Sequence, residues 1–144
     1  MNAANNRILV PIDGSENAAR ALEKAITVVR GLPDGELHLV NVQPPVRGVA
    51  ASMVGQDAIK TYHHEEGMKA LESAIEACRA AGVTARHHIG VGSIGPTIAR
   101  FAKELGCAQI IMGTRGHGKA LNLLLGSAAS EVIEHADVPV TLVK

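Results

Sequence analysis

Short aliphatic runs that alternate with segments of helical periodicity place the strongest constraint on the fold. Runs typical of buried strands cover residues 8–12, 37–42, 83–89, 109–112 and 138–143. Between most of them, apolar residues recur every three or four positions, which predicts amphipathic helices. Strands that alternate with helices indicate an α/β domain with a mainly parallel sheet and helices on both of its faces. We therefore expect residues 1–144 to form a single domain without an internal boundary.

The ends and faces of two segments are predicted from their residue types. Ser15 follows the first strand and is a candidate N-cap for the first helix. The last helix is predicted over residues 127–136, with Val132 and Ile133 on its buried face. Residues 46–57 are rich in Gly, Ala and Ser and show only a weak pattern, which predicts a mobile connector.

Composition narrows the classes of function. Aromatic residues make up 1% of the chain, so the core must be built from Val, Ile, Leu and Ala. The 14 basic and 14 acidic residues cancel, and no basic block supports a nucleic-acid role. The apolar runs are far shorter than the roughly 20 residues that span a bilayer, and the first residues lack the apolar region of a signal peptide. Cys78 and Cys107 are interpreted as buried thiols in a reducing cytosol, so a cytoplasmic protein is expected.

A glycine-rich segment follows the fourth predicted strand, at the sheet edge where open α/β folds bind ligands. Three glycines within six positions, from Gly113 to Gly118, let the backbone turn tightly and present N–H groups to an anion. Gly126 and Ser127 then open a helix, whose first N–H groups also favour an anion. Arg115, His117 and Lys119 add positive charges or hydrogen-bond donors. The segment predicts a phosphate site, and a flexible surface loop is the alternative.

Two common glycine motifs fit the chain poorly. The pattern from Gly113 to Lys119 matches a P-loop until Ala120, where a Ser or Thr should bind the metal. The run from Gly90 to Gly95 matches G-x-G-x-x-G, but no Asp or Glu follows at the ribose-binding distance. We interpret that second run as a glycine turn with Ser93 as a helix cap.

The spacing Gly113-x2-Gly116-x9-Gly126-Ser127 resembles the signature of the ATP-binding universal stress proteins. The resemblance covers nearly the whole chain, including residues 8–15 at the start and residues 138–143 at the end. It implies a Rossmann-like, five-stranded parallel sheet in the order 3-2-1-4-5, with the ligand cleft between the first and fourth strands.

The resemblance also implies a role for individual residues. Asp13 would bond to the ribose or the base, since a carboxylate accepts from hydroxyl and amino groups but is repelled by phosphate. Pro11, Ile12 and Met112 would wall the adenine pocket, and the backbone of Val42 would read the adenine edge. The residues expected on the ribose and phosphate side are Gly113, Arg115, Gly116, His117, Gly126, Ser127 and Ala128.

The implied ligand is ATP, or AMP or ADP, with any Mg²⁺ or Mn²⁺ held by the phosphates alone. No catalytic triad or carboxylate pair can be assigned, so we expect at most slow ATP hydrolysis. The leading hypothesis is a nucleotide-binding regulatory module of the stress response. One alternative is an ATPase or phosphotransferase that uses His117 and Lys119, although His117 is also readily interpreted as a neutral loop residue. Another is a nucleotide-free interaction or chaperone-like dimer.

Two further expectations concern surfaces. An uncovered apolar edge strand at residues 138–143 would favour aggregation. The family resemblance implies a dimer in which this strand pairs with the same strand of a second copy, so a homodimer is expected. The adjacent pairs His63-His64 and His87-His88 point their members in different directions, so they are interpreted as solvated surface histidines rather than a chelate.

Overall fold

Strands and helices alternate along the part of the chain that the computed structural model describes, which is residues 6–116 and 125–144. The strands are β1 (Arg7–Pro11), β2 (Glu36–Gln43), β3 (Thr84–Val91), β4 (Gln109–Gly113) and β5 (Val140–Val143). The helices are α1 (Glu16–Arg30), α2 (Val49–Val54), α3 (Gln56–Ala81), α4 (Ile94–Glu104) and α5 (Ser127–His135). All strand pairs are parallel and the order is β3-β2-β1-β4-β5, which confirms the expected sheet.

Helix α1 begins where the sequence predicts. The Oγ of Ser15 accepts a hydrogen bond from the N–H of Ala18 at 3.1 Å, as an N-cap does. Glu16 in the first turn and Arg30 in the last complement the helix dipole. This cap fixes the chain directly after β1, where the candidate ligand edge begins.

Two hydrophobic clusters lie on opposite faces of the sheet. Alternate strand residues divide between them: Ile8 and Val10 face α1 and α3, whereas Leu9 faces α4 and α5. The fully buried side chains are aliphatic, apart from Cys78, as the scarcity of aromatic residues requires. Helices therefore cover both faces of the sheet.

Helices α4 and α5 approach each other closely at Gly95. A Cβ on Gly95 would lie 2.3 Å from the Cβ of Glu131 and 2.8 Å from its carbonyl carbon, so only glycine fits. At Gly90 a Cβ would meet Phe101 at 2.6 Å. The G-x-G-x-x-G run thus has packing reasons for its first and last glycines, which lie in β3 and α4. Ser93 is the N-cap of α4 by position, but its side chain makes no capping hydrogen bond.

Three details of the predicted elements were wrong. Residues 46–57 are not an irregular connector, because they contain α2 and the start of α3, and Gly48 and Gly55 flank α2 with positive φ angles of 71° and 74°. Ile133 is 47% exposed, since the short α5 turns only Val132 and Ala129 inward. The last strand starts at Val140 rather than at residue 138.

Candidate functional site

A cleft opens at the carboxyl edge of the sheet, where β1 lies between β2 and β4 and the strand order reverses. Its empty volume is about 510 Å³, a figure that includes the solvent-open mouth. Predicted site residues that line it are Pro11, Ile12, Asp13, Val42, Met112, Gly113, Arg115, Gly116 and Ala128. Residues that line it without having been predicted are Ala18, Val40, Asn41, Ile94 and Ile98. His117 and Lys119 lie outside the described residues.

One wall of the cleft is main chain, because β2 continues beyond the end of β1. The carbonyl of Val40 accepts from the N–H of Ile12 at 2.8 Å, so the peptide groups of Val40 point toward β1. Val42 is two residues further along and presents its N–H and C=O to the same side. The structure thus turns one donor and one acceptor of Val42 toward the cleft that this residue lines.

The buried amide of Asn41 ends the pairing of β1 with β2. In a continued parallel ladder, the carbonyl of Ile12 would accept from the N–H of Val42. Here it accepts from Nδ2 of Asn41 at 2.8 Å, and Oδ1 of Asn41 in turn accepts from the Gln43 amide at 2.6 Å. The sequence analysis missed Asn41, although a polar residue inside a largely aliphatic strand was a signal that could have identified it.

Asp13 and Gly116 face each other across the mouth of the cleft. The Oδ1 of Asp13 accepts from the N–H of Ser15 at 2.9 Å, which fixes the carboxylate at the entry to α1. A Cβ on Gly116 would lie 2.5 Å from the Oδ2 of Asp13. Glycine therefore lets the turn after β4 approach the carboxylate closely.

The N-terminus of α5 forms the far side of this turn. Gly126 is the N-cap, and its N–H donates to the carbonyl of Thr114 at 2.7 Å. The first bond within the helix runs from the N–H of Ser130 to the carbonyl of Gly126 at 3.1 Å. The N–H groups of Ser127 and Ala128 precede that bond and have no acceptor within the helix. They make this end of α5 attractive to an anion, whereas the N–H of Gly126 is already used to fix the turn.

Asn17 is a second buried polar residue that the sequence analysis missed. It sits in the first turn of α1, 7% exposed, and its amide contacts both the turn after β4 and the end of β5. Nothing in its local sequence marks it, because its partners are 98 and 126 residues away.

The cysteines take no part in this site. Cys78 and Cys107 are buried free thiols, as predicted. Burial raises the pKa of the Cys107 thiol to about 11 and also raises the pKa of Cys78. Both therefore remain protonated at neutral pH and are poor nucleophiles.

The prediction of solvated histidines was wrong for one member of each pair. His63 is 6% exposed, with its Nε2 3.0 Å from the carbonyl oxygen of Pro44. His88 is half-buried, and its Nε2 lies 2.9 Å from Nδ1 of the buried His38. His63 and His88 each have a polar partner in another loop or strand. The directions of two adjacent side chains, on which the prediction rested, do not reveal such a partner.

The described residues contain neither a cluster suited to a metal ion nor a helix suited to a membrane. Among residues 6–116 and 125–144, no three His, Cys, Asp or Glu side chains gather where they could hold a metal ion. In the same part of the chain, no helix has both the length and the apolar character needed to cross a bilayer.

Comparison with known proteins agrees with this geometry. The family model described as the universal stress protein family matches residues 4–144. The chain belongs to the universal stress protein family. The resemblance seen in the glycine spacing is thereby confirmed, and the observed sheet is the one the family resemblance implied.

Individual universal stress proteins are similar over nearly their full length. Universal stress protein YxiE of Bacillus subtilis is 31% identical, over 96% of this chain and 99% of its own. The solved structure of the hypothetical protein MJ0577 is 28% identical, with a TM-score of 0.84 over 99% of this chain and 97% of that one. The universal stress protein of Archaeoglobus fulgidus, solved in complex with dAMP, is 26% identical, with a TM-score of 0.70 over 96% and 97% of the two chains.

Proposed function

We propose that this protein binds an adenine nucleotide, with ATP as the leading candidate, in the cleft between β1 and β4. One observation carries the proposal: the cleft combines a main-chain donor and acceptor at Val42 with a glycine turn and the N-terminus of α5. A base, a sugar and a phosphate chain need these three environments in this order. The dAMP complex of the Archaeoglobus fulgidus relative supports the choice of an adenine ligand.

The base would lie between aliphatic walls and be recognised along its edge. Ile12 and Met112 are buried apolar residues of the cleft lining, and Pro11 is half-buried beside them. Adenine offers an amino donor next to a ring-nitrogen acceptor, which complements the C=O and N–H of Val42. Guanine offers an oxygen acceptor next to an N–H donor, the opposite order, so the same backbone would disfavour it.

The ribose and phosphates would lie along the turn from Gly113 to Gly116 and the start of α5. Asp13 would accept from a ribose hydroxyl, and the N–H groups of Ser127 and Ala128 would donate to phosphate oxygens. Gly126 would shape this corner, since its own N–H donates to Thr114. The exposed Arg115, together with His117, would add donors, and Mg²⁺ or Mn²⁺ would be held by the phosphates.

The biological role we propose is regulatory rather than catalytic. A cytoplasmic homodimer of the stress response, paired through β5, would report nucleotide occupancy to a partner protein, with at most slow ATP hydrolysis. Support for the pairing is the position of β5 at the sheet edge, with Val140 and Leu142 only half-buried. Such an edge gains backbone partners when it pairs with a second copy.

The proposal is tested by identifying the ligand and measuring its affinity. Purified protein is denatured and any released nucleotide identified by mass spectrometry, and stripped protein is titrated with ATP, ADP, AMP and GTP by calorimetry. We expect adenine nucleotides to bind and to raise the melting temperature, with GTP clearly weaker. Gly116→Val should abolish the shift, because its side chain would fill the approach to Asp13. Equal affinity for GTP, or a full shift in that variant, would contradict the proposed site.

A further inference from the structure

Asn17 adds a buried side-chain connection between two neighbouring parts of the molecule, the turn after β4 and the carboxyl end of β5. Its Oδ1 accepts from the N–H of Arg115 at 2.7 Å, and its Nδ2 donates to the carbonyl of Val143 at 2.9 Å. The amide orientation is unambiguous, because one partner can only donate and the other can only accept. A single buried side chain thus holds both the turn after β4 and the carboxyl end of β5.

Thr114 makes the connection tighter. Its N–H donates to the carbonyl of Val143 at 3.0 Å, so that oxygen accepts from both Thr114 and Asn17. The carbonyl of Thr114 accepts from the N–H of Gly126, the N-cap of α5. The helix end proposed to bind phosphate is therefore joined to β5 through two consecutive main-chain hydrogen bonds.

Gly113 supplies an independent observation that this contact is close. A Cβ there would lie 2.5 Å from Oδ1 of Asn17 and 2.7 Å from its Cγ. The first glycine of the G-x2-G-x9-G-S spacing is thus required by the Asn17 amide, whether or not a nucleotide is present. A buried amide held so tightly cannot shift without moving the turn and the strand with it.

We propose that Asn17 is a positioning residue that ties the nucleotide-binding turn to the end of β5, so that nucleotide occupancy and the order of β5 are linked. The inference rests on the proposed nucleotide function. A phosphate that fixes residues 113–116 also fixes Thr114 and Asn17, and both hold the carbonyl of Val143. By reciprocity, anything that orders β5, such as pairing with a second copy, tightens nucleotide binding by the same factor.

Hydrogen exchange measured by mass spectrometry, with and without saturating ATP, tests the link. In the wild-type protein we expect ATP to slow exchange at residues 113–116, and to slow exchange at residues 140–144 by at least about fivefold. Asn17→Leu removes both hydrogen bonds, so exchange at Arg115 should rise about fivefold without ligand. ATP should then protect residues 140–144 clearly less than in the wild type, because only the N–H of Thr114 still holds the carbonyl of Val143.

Two further variants separate the two ends of the link. Asn17→Asp keeps an acceptor for the N–H of Arg115 but has no donor for Val143. With saturating ATP its turn should be protected as in the wild type, whereas the protection of residues 140–144 should be clearly smaller than in the wild type. Arg20→Leu is the matched control: it removes the bond from Nε of Arg20 to the carbonyl of Lys144, one turn along the same helix. This control should keep the ATP-dependent protection of β5.

The outcomes distinguish this inference from the function on which it rests. Wild-type protein with a protected turn but unchanged exchange at residues 140–144 would overturn the link and leave nucleotide binding intact. Asn17→Asp that gives residues 140–144 the full ATP-dependent protection of the wild type would also overturn it. Wild-type protein unprotected everywhere would overturn nucleotide binding and the link together. If Asn17→Leu does not fold, the nearly isosteric Asn17→Asp decides the question against the wild type.

Discussion

Replacing Gly116 with alanine tests the contact between the turn and the carboxylate of Asp13. The new Cβ would lie 2.5 Å from Oδ2, nearly an ångström short of the 3.4 Å at which ordinary contact begins. Asp13 must therefore retreat, and its 2.9 Å bond to the N–H of Ser15 stretches or breaks. A ribose hydroxyl would lose a charged acceptor, which is worth about 1.5–3 kcal/mol, so we expect ATP affinity to fall about 10- to 150-fold.

Stability should change much less than affinity. Asp13 and Gly116 are both exposed, so the carboxylate can move into solvent, and we expect the unfolding free energy to change by less than about 1 kcal/mol. Calorimetric titration with ATP and thermal melts without ligand measure the two quantities separately. Gly31→Ala is the matched control, because its Cβ would meet nothing closer than the Val28 carbonyl oxygen at 3.5 Å, and its ATP affinity should equal that of the wild type.

A double-mutant cycle identifies Asp13 as the cause. Asp13→Ala should lose a similar factor in affinity, and Gly116→Ala added to that variant should cost little more, since the displaced carboxylate is already gone. Wild-type affinity in Gly116→Ala, or fully additive losses in the cycle, would refute the reasoning.

Three further predictions concern other parts of the molecule. Gly95→Ala should lower the unfolding free energy by about 1–3 kcal/mol in urea titrations, since its Cβ would collide with the backbone of Glu131; an unchanged midpoint would contradict this packing. Burial, and then electrostatic repulsion from His38, His87 and Arg86, lower the pKa of His88 from its usual value of 6.5, so folding disfavours its protonation. The free energy of unfolding should therefore decrease as the pH drops below about 6.5. The melting temperature of His88→Gln should decrease less steeply over the same pH range. The Cys107 thiol, with its pKa of about 11, should react with a thiol-specific disulfide reagent only as fast as the protein opens; rapid labelling of native protein would rule this out.

The sheet was predictable because its signals are local. The aliphatic runs and the Ser15 cap lie within a few residues of the structure they specify, so strands and helices could be placed from sequence alone. The prediction of a connector at residues 46–57 was wrong because the local signals of a helix are missing there. Helix α2 has no side-chain N-cap and lies between two glycines, which are typical of loops. Ile133 has helical spacing, but only the packing of α4 decides which side of a nine-residue helix is covered.

The site was predictable only in part. Glycine spacing identified the turn, and most of the predicted residues that the structure describes line one cleft. Asn17 and Asn41 could not be inferred in the same way, because each acts on a carbonyl from another element: Val143 for the first and Ile12 for the second. The spacing of residues along the sequence does not show which distant backbone group a buried polar side chain will bind.

The main-chain wall at Val42 has a consequence for how ligand choice would vary among relatives. A base recognised by peptide groups is insensitive to which side chain the residue carries, so replacing Val42 by Ile or Ala would alter the fit of the ring but not the order of donor and acceptor. Selectivity would instead depend on where β1 stops. Lengthening that strand by one paired residue would occupy the N–H of Val42 and remove discrimination between bases while the amino acid at Val42 stays the same.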